Sequence, residues 1–435
     1  MKWFLYARMS IVYNLLFPIL GIFYLLSLAF SSRRGLLKSL PQEIRERLGF
    51  YPPRLLQEIF RHKPLWFHAA SVGEVKILPA LLPHFKHRKI LVTTSSKIGK
   101  DQASKLPGVD WALIAPLDFY PIVSRAIKKI HPTVLILIET ELWPNLISGC
   151  IALGAKVFVV NGRISDRSFP RYLWAKRLLQ IPLSQMQFLC VQTESDQRKF
   201  VELGAQPSRV RVLGNMKLDA MGIRQELEKL QRDTVFPKLK TLGWTEEDIL
   251  FVAGSTHAEE EQILLELFQE LKSQVKNLRL ILAPRHVERC SSVLRLLQSQ
   301  QISTVAWSDE NTPFSPDCLL IDVIGPLAAI YHFSSIVFVG GTLVNKGGHN
   351  LLEPAFSAKP ILFGPYTQNT QAVAQLLEKS GGGFRVQDKE HLKRSCLRLI
   401  QDPTLRKKAG DKAQQAARSL QGAAERTANL LKTYI

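Results

Sequence analysis

The sequence predicts an α/β protein of two parallel-sheet halves facing one another across a cleft, preceded by a hydrophobic N-terminal anchor helix. Three observations predict it. Short apolar runs alternate with amphipathic stretches through residues 46–220, and the alternation restarts after a connector at Pro237–Asp248. Alternation of this kind makes parallel sheets covered by helices on both faces. Ahead of both series lies a charge-free segment, Ile11–Phe30. At 435 residues the chain also exceeds a single ordinary core. The expected organisation is residues 1–45 as anchor and basic connector, 46–220 as the first domain, and 221–435 as the second with a helical tail from Pro403.

About 20 apolar residues are enough to cross a hydrocarbon core, which Ile11–Phe30 supplies. A cleaved leader ending near Ala29-Phe-Ser31 is the competing reading, but the apolar run is long for that role. Only Lys2 and Arg8 precede the segment, whereas Arg33, Arg34 and Lys38 follow it at once. The positive-inside bias then puts the large domains in the cytoplasm. Pro18 and Gly21 leave an interfacial or bundled helix open beside a true span.

The net charge of +20, from 57 basic against 37 acidic residues, favours anionic partners: phosphorylated small molecules, an acidic membrane surface or nucleic acid. Nucleic acid is disfavoured, because no recognition helix, zinc spacing or aromatic–glycine RNA motif occurs. An apolar fraction of 46% excludes a disordered chain. The five cysteines, Cys150, Cys190, Cys290, Cys318 and Cys396, are scattered and form no CxxC pair. Neither a zinc site nor a disulfide framework is expected, and a reducing compartment fits.

In the first half, Leu65–Ala70 reads as a buried strand, Ser71–Gly73 as a turn, and Val75, Leu78, Leu81 and Leu82 recur at helical spacing. Glu74 therefore stands at a helix start outside a strand's carboxyl end, where ligands of such sheets gather. There it can take a proton; by spacing alone it equally suits the positive end of a helix dipole. Further strands are expected at Lys89–Thr94, Trp111–Ala115, Thr133–Ile138, Lys156–Val160 and Phe188–Val191. Amphipathic stretches at Lys100–Leu106, Tyr120–Ile130, Leu142–Leu153, Tyr172–Leu179 and Ser195–Leu203 separate them. The end of the fourth strand carries two carboxylates, Glu139 and Glu141, and Glu141 suits a helix N-terminus better. Lys217, near the domain junction, brings positive charge towards the cleft or is a solvated surface lysine.

In the second half, strands are expected at Ile249–Ala253, Leu278–Ala283, Leu319–Asp322 and Ile336–Val339, with a charged helix at Gln225–Gln231 ahead of them. Gly340–Glu353 is rich in glycine, so its backbone can approach a ligand closely, and free amides at the start of an Asn350 helix suit an anion. His349 is placed to donate and Glu353 to accept from sugar hydroxyls. Without a ligand the same stretch is a tight turn with Asn350 as N-cap. Arg285 at a neighbouring strand end adds a guanidinium matched to phosphate. No GxGxxG, Walker or Asp-x-Asp motif occurs, so no dinucleotide cofactor or metal-held diphosphate sugar is expected.

Seven blocks, in order over nearly the whole chain, resemble the Kdo (3-deoxy-D-manno-octulosonic acid) transferases of lipopolysaccharide biosynthesis. They are His68-Ala-Ala-Ser-Val-Gly-Glu74, Glu139-Thr-Glu-Leu-Trp-Pro-Asn145, Leu213-Gly-Asn-Met-Lys217, Gly254-Ser-Thr-His257, Ala283-Pro-Arg-His286, Phe338-Val-Gly-Gly341 and Gly347-Gly-His-Asn-Leu-Leu-Glu353. The resemblance implies a GT-B glycosyltransferase with two Rossmann-like domains, an acceptor-binding first and a CMP-sugar-binding second. It implies inverting, metal-independent transfer of Kdo from CMP-Kdo onto a phosphorylated lipid A precursor (lipid IVA) at the inner (cytoplasmic) membrane. No cofactor beyond that donor is implied. Carried over residue by residue, the general base falls on Glu74 and the charge-stabilising positions on Glu139 and Lys217. The CMP contacts fall on Pro284 and Arg285, on Ile324, Gly325 and Pro326, and on Asn350, Leu351, Leu352 and Glu353. The family commonly has Gly-Glu where this chain has Gly325-Pro326, so an acidic side chain and a backbone donor are missing there. The competing function is a membrane-associated GT-B transferase using a UDP- or GDP-sugar, which fold alone does not separate.

Overall fold

A computed structural model describes residues 10–15, 40–222, 232–309 and 315–435. The chain divides into two compact units, Met1–Ala220 with Gln421–Ile435, and Met221–Leu420.

The first unit is a seven-stranded parallel sheet. Its strands are β1 (Leu65–His68), β2 (Ile90–Thr94), β3 (Trp111–Ile114), β4 (Val134–Ile138), β5 (Lys156–Gly162), β6 (Phe188–Val191) and β7 (Val210–Val212). They lie in the order β3-β2-β1-β4-β5-β6-β7. Burial on both faces explains why β4 is an unbroken apolar run and why β1 and β2 are apolar up to His68 and Thr93 at their carboxyl ends. The helices between them show the other period: in Tyr120–Ile130 the buried residues are Val123, Ala126, Ile127 and Ile130. The winding reverses between β1 and β4, which pair directly, Leu65 opposite Val134. That reversal opens a crevice at the carboxyl ends of these two strands.

The second unit repeats the plan. Its strands are β8 (Ile249–Thr256), β9 (Leu278–Pro284), β10 (Thr304–Ala306), β11 (Cys318–Leu320), β12 (Ile336–Val339), β13 (Ile361–Phe363) and β14 (Gly383–Arg385). Their order is β10-β11-β9-β8-β12-β13-β14, again all parallel. Here the reversal falls between β8 and β12.

One expectation is corrected. The terminal helices do not all belong to the second unit, because Gln421–Ile435 returns to the first. The Asp219 carboxylate accepts from Gly422 N at 2.5 Å and Ala424 N at 3.2 Å, capping the helix Ala423–Lys432. That helix then buries Ala424, Ala428 and Leu431, so the cap and an apolar face together draw it back.

Residues 10–15 are helical and held by the first unit: the Tyr13 hydroxyl donates to Asp118 Oδ2 at 3.1 Å and Asn145 Nδ2 to Asn14 Oδ1 at 2.9 Å. The rest of the expected anchor, beyond Leu15, and the expected Gln225–Gln231 helix lie outside the described residues. Among the described residues no helix is long and apolar enough to cross a membrane. All five cysteines are free and buried.

Candidate active site

Each reversal gathers the polar residues of its unit. In the first, Ser71 ends the loop after β1 and caps Val72–Val75, accepting from Glu74 N. The turn folds the Glu74 carboxylate back over its own start, where Oε2 accepts from Ala70 N at 2.7 Å and Oε1 from the Ser71 hydroxyl at 2.7 Å. Burial pushes the Glu74 carboxyl up to about 7; the charges of Glu141 and Glu139 add to this, and the bonds from Ser71 and Ala70 oppose it. A carboxyl that titrates near neutrality in a crevice suits proton transfer. The dipole reading of Glu74 fits less well, since the helix it opens has only four residues.

Across the reversal, β4 runs into Glu139, which sits in the left-handed region at φ 61°. Such a backbone costs a non-glycine residue on the order of 1–3 kcal/mol and is typical of functional sites. It turns the carboxylate onto Lys217 Nζ, 2.5 Å from Oε1. The segment that carries Lys217 is held from three sides. Asn161 Oδ1 accepts from Met216 N at 2.9 Å, the Asp219 cap ties its helix to the terminal one, and Arg426 donates twice to Leu213 O, at 3.1 and 2.9 Å.

Glu141 departs from its expected place. The following helix, Pro144–Ala152, begins after it and has no acidic residue in its first turn. The carboxylate instead accepts from Trp143 Nε1 at 2.6 Å and lies 3.9 Å from His68 Nε2. Burial is the main cause raising the Glu141 carboxyl above its ordinary value.

In the second unit the reversal brings together residues from three loops. Gly340 lies so close to β8 that a Cβ there would stand 2.3 Å from Ser255 O, and Ser255 takes φ 58° to let it pass. Glu260 ties the glycine loop down. Its carboxylate, fully buried, accepts from Gly341 N at 2.7 Å, Thr342 N and Leu343 N at 2.9 Å, and His257 N at 3.1 Å. Above this seat the His349 ring stacks on His257, centroids 5.1 Å apart, with Nε2 to Nε2 at 2.9 Å. His286 meets His257 edge-on at 6.1 Å. Burial chiefly, and then the charges of His257, Arg285 and His286, push His349 down to about 4. Burial, then Lys346, His286 and Arg289, lower His257 likewise. His349 and His257 are thus held neutral, and the positive charge at the carboxyl edge of the sheet comes from Arg285 and Lys346 beside them, a setting that favours an anion.

Pro284 ends β9, and Arg285 follows it, its amide bonded to Thr256 O at 3.0 Å. Ile324, Gly325 and Pro326 follow β11, on the same edge; Ile324 is 94% exposed and Gly325 takes φ 128°. The expected anion-binding start of an Asn350 helix is corrected. The helix is only Leu352–Phe356, and the Leu352 amide is already bonded to Asn350 Oδ1 at 3.1 Å. Asn350 Nδ2 also donates to Glu353 Oε1 at 3.1 Å, so these two side chains act as a pair. The Leu351 and Leu352 side chains are buried in the core, leaving only their backbone for a ligand. Sequence reasoning left His68, Glu260 and the His257–His286 contact without roles and gave Glu141 only that of a helix N-terminal residue. The one available signal was that three histidines each directly follow a strand end or a glycine turn.

Two doubly wound parallel units, each with its polar residues at the winding reversal, define a GT-B-type fold. The same fold is found in UDP-GlcNAc 2-epimerase from Neisseria meningitidis, with a TM-score of 0.57 at 13% identity over 85% of this chain and 99% of that one. The family model for 3-deoxy-D-manno-octulosonic-acid transferase matches residues 42–220. The 3-deoxy-D-manno-octulosonic acid transferase of Haemophilus influenzae is 32% identical over 91% of this chain and 92% of its own. That of Chlamydophila psittaci is 32% identical over 89% and 88%. A bifunctional glycosyltransferase/methyltransferase of Fusobacterium nucleatum is 37% identical over 75% of this chain, which spans about half (51%) of that longer protein. The chain belongs to the 3-deoxy-D-manno-octulosonic acid (Kdo) transferase family and is a glycosyltransferase.

Proposed function

We propose that the protein transfers Kdo from CMP-Kdo to a hydroxyl of a phosphorylated lipid A precursor, lipid IVA, in lipopolysaccharide biosynthesis at the cytoplasmic face of the inner membrane. The observation that carries this reading is Glu74, a buried carboxyl poised near neutrality beside the Glu139–Lys217 pair. The first unit takes the acceptor and the second takes CMP-Kdo. Glu74 removes the proton of the attacking hydroxyl as its oxygen bonds the anomeric carbon. The bond from that carbon to the phosphate oxygen breaks, and CMP leaves with the electron pair. A single displacement inverts the anomeric centre. Lys217 and Glu139 steady charge near the acceptor. Pro284, Arg285, the Ile324–Pro326 turn and Asn350–Glu353 hold the nucleotide, with Pro326 supplying no side-chain acceptor where the family resemblance implies an acid. The charge-free segment Ile11–Phe30 anchors the chain in the membrane, and the net charge of +20 suits an acidic lipid surface.

Mass spectrometry of products from purified protein, lipid IVA and CMP-Kdo tests the whole reading. A product heavier by one or more Kdo residues is expected. Transfer from a UDP-sugar but not from CMP-Kdo overturns it.

Two variants separate the parts. Arg285→Ala removes a charge-assisted contact of about 1.5–3 kcal/mol, so CMP should bind roughly ten- to a hundredfold more weakly in calorimetric titration while the acceptor KM is kept. A change confined to the acceptor overturns the assignment of the donor to the second unit. Lys217→Met leaves Glu139 without its cation. Because the pair is about half exposed on the lysine side, stability should fall by no more than about 1 kcal/mol. The turnover number should fall well beyond that, and an unchanged kcat removes Lys217 from the reaction.

A further inference from the structure

The switch point of the first unit holds one more chemical group, buried beneath the carboxylates. His68 is the last residue of β1 and only 1% exposed, with its ring edge-on to Trp143 at 5.6 Å. Its Nδ1 lies 2.9 Å from Thr93 Oγ1, and the same hydroxyl oxygen accepts from Trp66 Nε1 at 2.8 Å.

These two contacts fix the proton on the imidazole. An indole nitrogen only donates, so Trp66 takes a lone pair of the Thr93 oxygen. If His68 Nδ1 donated as well, the hydroxyl proton of a fully buried threonine would be left without an acceptor among the described residues. That is the arrangement buried polar groups avoid. The hydroxyl therefore donates to Nδ1, and the neutral ring carries its hydrogen on Nε2. Burial pushes His68 down to about 4 against the opposing pull of the Thr93 backbone, which keeps the ring neutral at working pH.

Among the described residues the Nε2–H then has no hydrogen-bond partner, and it is covered from solvent. Glu141 Oε2 lies 3.9 Å from Nε2. That gap is too long for a hydrogen bond and shorter than the roughly 4.5 Å that a bridging water spans. A shift of about 1 Å by Glu141 closes it, and hydrogen bonds of this sort tighten when substrate fills a site. An ionised carboxylate oxygen accepts two donors, so Trp143 Nε1 need not let go.

We propose that His68 is a positioning residue of the transfer site: its Nε2–H is a preset donor that captures Glu141 when substrate binds and locks that carboxylate beside Glu74. The inference rests on Glu74 as the base. The groups facing Glu74 are the Ser71 hydroxyl, the Ala70 amide, Glu141 and Glu139, the last paired with Lys217. Those facing His68 are Thr93, Trp143 and Glu141. Of the two carboxylates whose charges act on Glu74, Glu139 is paired with Lys217, and fixing Glu141 fixes the other.

Nitrogen-15 spectroscopy of histidine-labelled, unmodified protein tests the tautomer directly. The expected signature is a neutral His68 ring with Nε2–H from pH 5.5 to 8, unchanged in form in Glu141→Gln but with a shifted Nε2–H resonance. An Nδ1–H ring, or an imidazolium at pH 7, overturns the proposal. Kinetics complete the test. His68→Phe keeps the ring shape without the donor and should lower kcat on the order of a hundredfold, as misplaced catalytic groups do, with the CMP-Kdo KM unchanged. His68→Gln, which restores an N–H near the Nε2 position, should recover most of that loss. Full kcat in folded His68→Phe overturns the proposal, and if that variant does not fold the spectroscopy of the native protein decides. Full activity of Glu74→Gln would instead remove the base, a separate failure that leaves the tautomer result standing.

Discussion

Glu74→Gln is expected to lower sugar transfer by roughly 10²–10⁴-fold, in a protein that melts no lower than the parent at pH 8. The first half follows from the absence of a basic oxygen where the acceptor hydroxyl must lose its proton. The second follows from linkage. The folded carboxyl is pushed up to about 7, mainly by burial, above an unfolded value of about 4.3. Between those two values the folded state binds the extra proton, so the contribution of this group to stability declines as pH rises through that window. Glutamine never ionises and escapes the decline. It also keeps the local bonds, its oxygen taking the Ala70 amide and its nitrogen donating to Ser71 Oγ. Thermal melts at pH 5 and pH 8 should therefore diverge in favour of the variant only at the higher pH.

The same titration sets the activity profile. A base works only when ionised, so kcat/KM of the parent should climb with pH through about 7 and level off above it. A flat profile from pH 5.5 to 8, or transfer at the parent rate by the folded glutamine variant, would place the base on another residue. A carboxylate that destabilises its own fold at the pH where it acts is a common mark of a site kept for chemistry.

The sequence showed most clearly what depends on local pattern. The long apolar strands and the helix Tyr120–Ile130 are set by period alone, and the expected and observed limits of that helix coincide. The strands at Val210–Val212, Thr304–Ala306, Ile361–Phe363 and Gly383–Arg385 were not legible, because three residues carry no period. The return of the terminal helix depends on Asp219 meeting Gly422 and Ala424 across some two hundred residues, a contact no local rule sees. In the site, Glu74, Glu139 and Arg285 stand where strand ends predict polar residues. Glu141 was misread for a physical reason. An acid shortly before Pro144 fits a helix N-terminus by spacing, and only the Trp143 indole and the buried His68 ring show that its side chain turns inward. The histidines at 257, 286 and 349 lie on separate loops, and the strand order alone makes them neighbours.

Glu260 shows the same limit with the larger structural consequence, because only the fold brings its carboxylate under the distant glycine loop. Glu260→Gln is expected to be among the most destabilising single changes in the second unit. The carboxylate holds four backbone amides, two on each oxygen: Thr342 and Leu343 on Oε1, Gly341 and His257 on Oε2. Burial pushes this carboxyl above its ordinary value and the four N–H bonds oppose the push. In the glutamine one oxygen becomes an NH₂ that faces two donors. Each buried amide left without an acceptor costs about 1–3 kcal/mol, so the loss is about 2–6 kcal/mol. That is a large part of the 5–15 kcal/mol that roughly holds a domain together. The Gly340–Glu353 stretch would also lose its tether beneath His349, so CMP affinity should fall with stability even though Glu260 lies under the loop and does not line its open side. Denaturant unfolding of Glu260→Gln beside Glu259→Gln, an exposed neighbour on the same helix turn, separates the tether from a general helix effect. Equal stability of the two variants would show that the glycine loop holds its shape without the buried carboxylate.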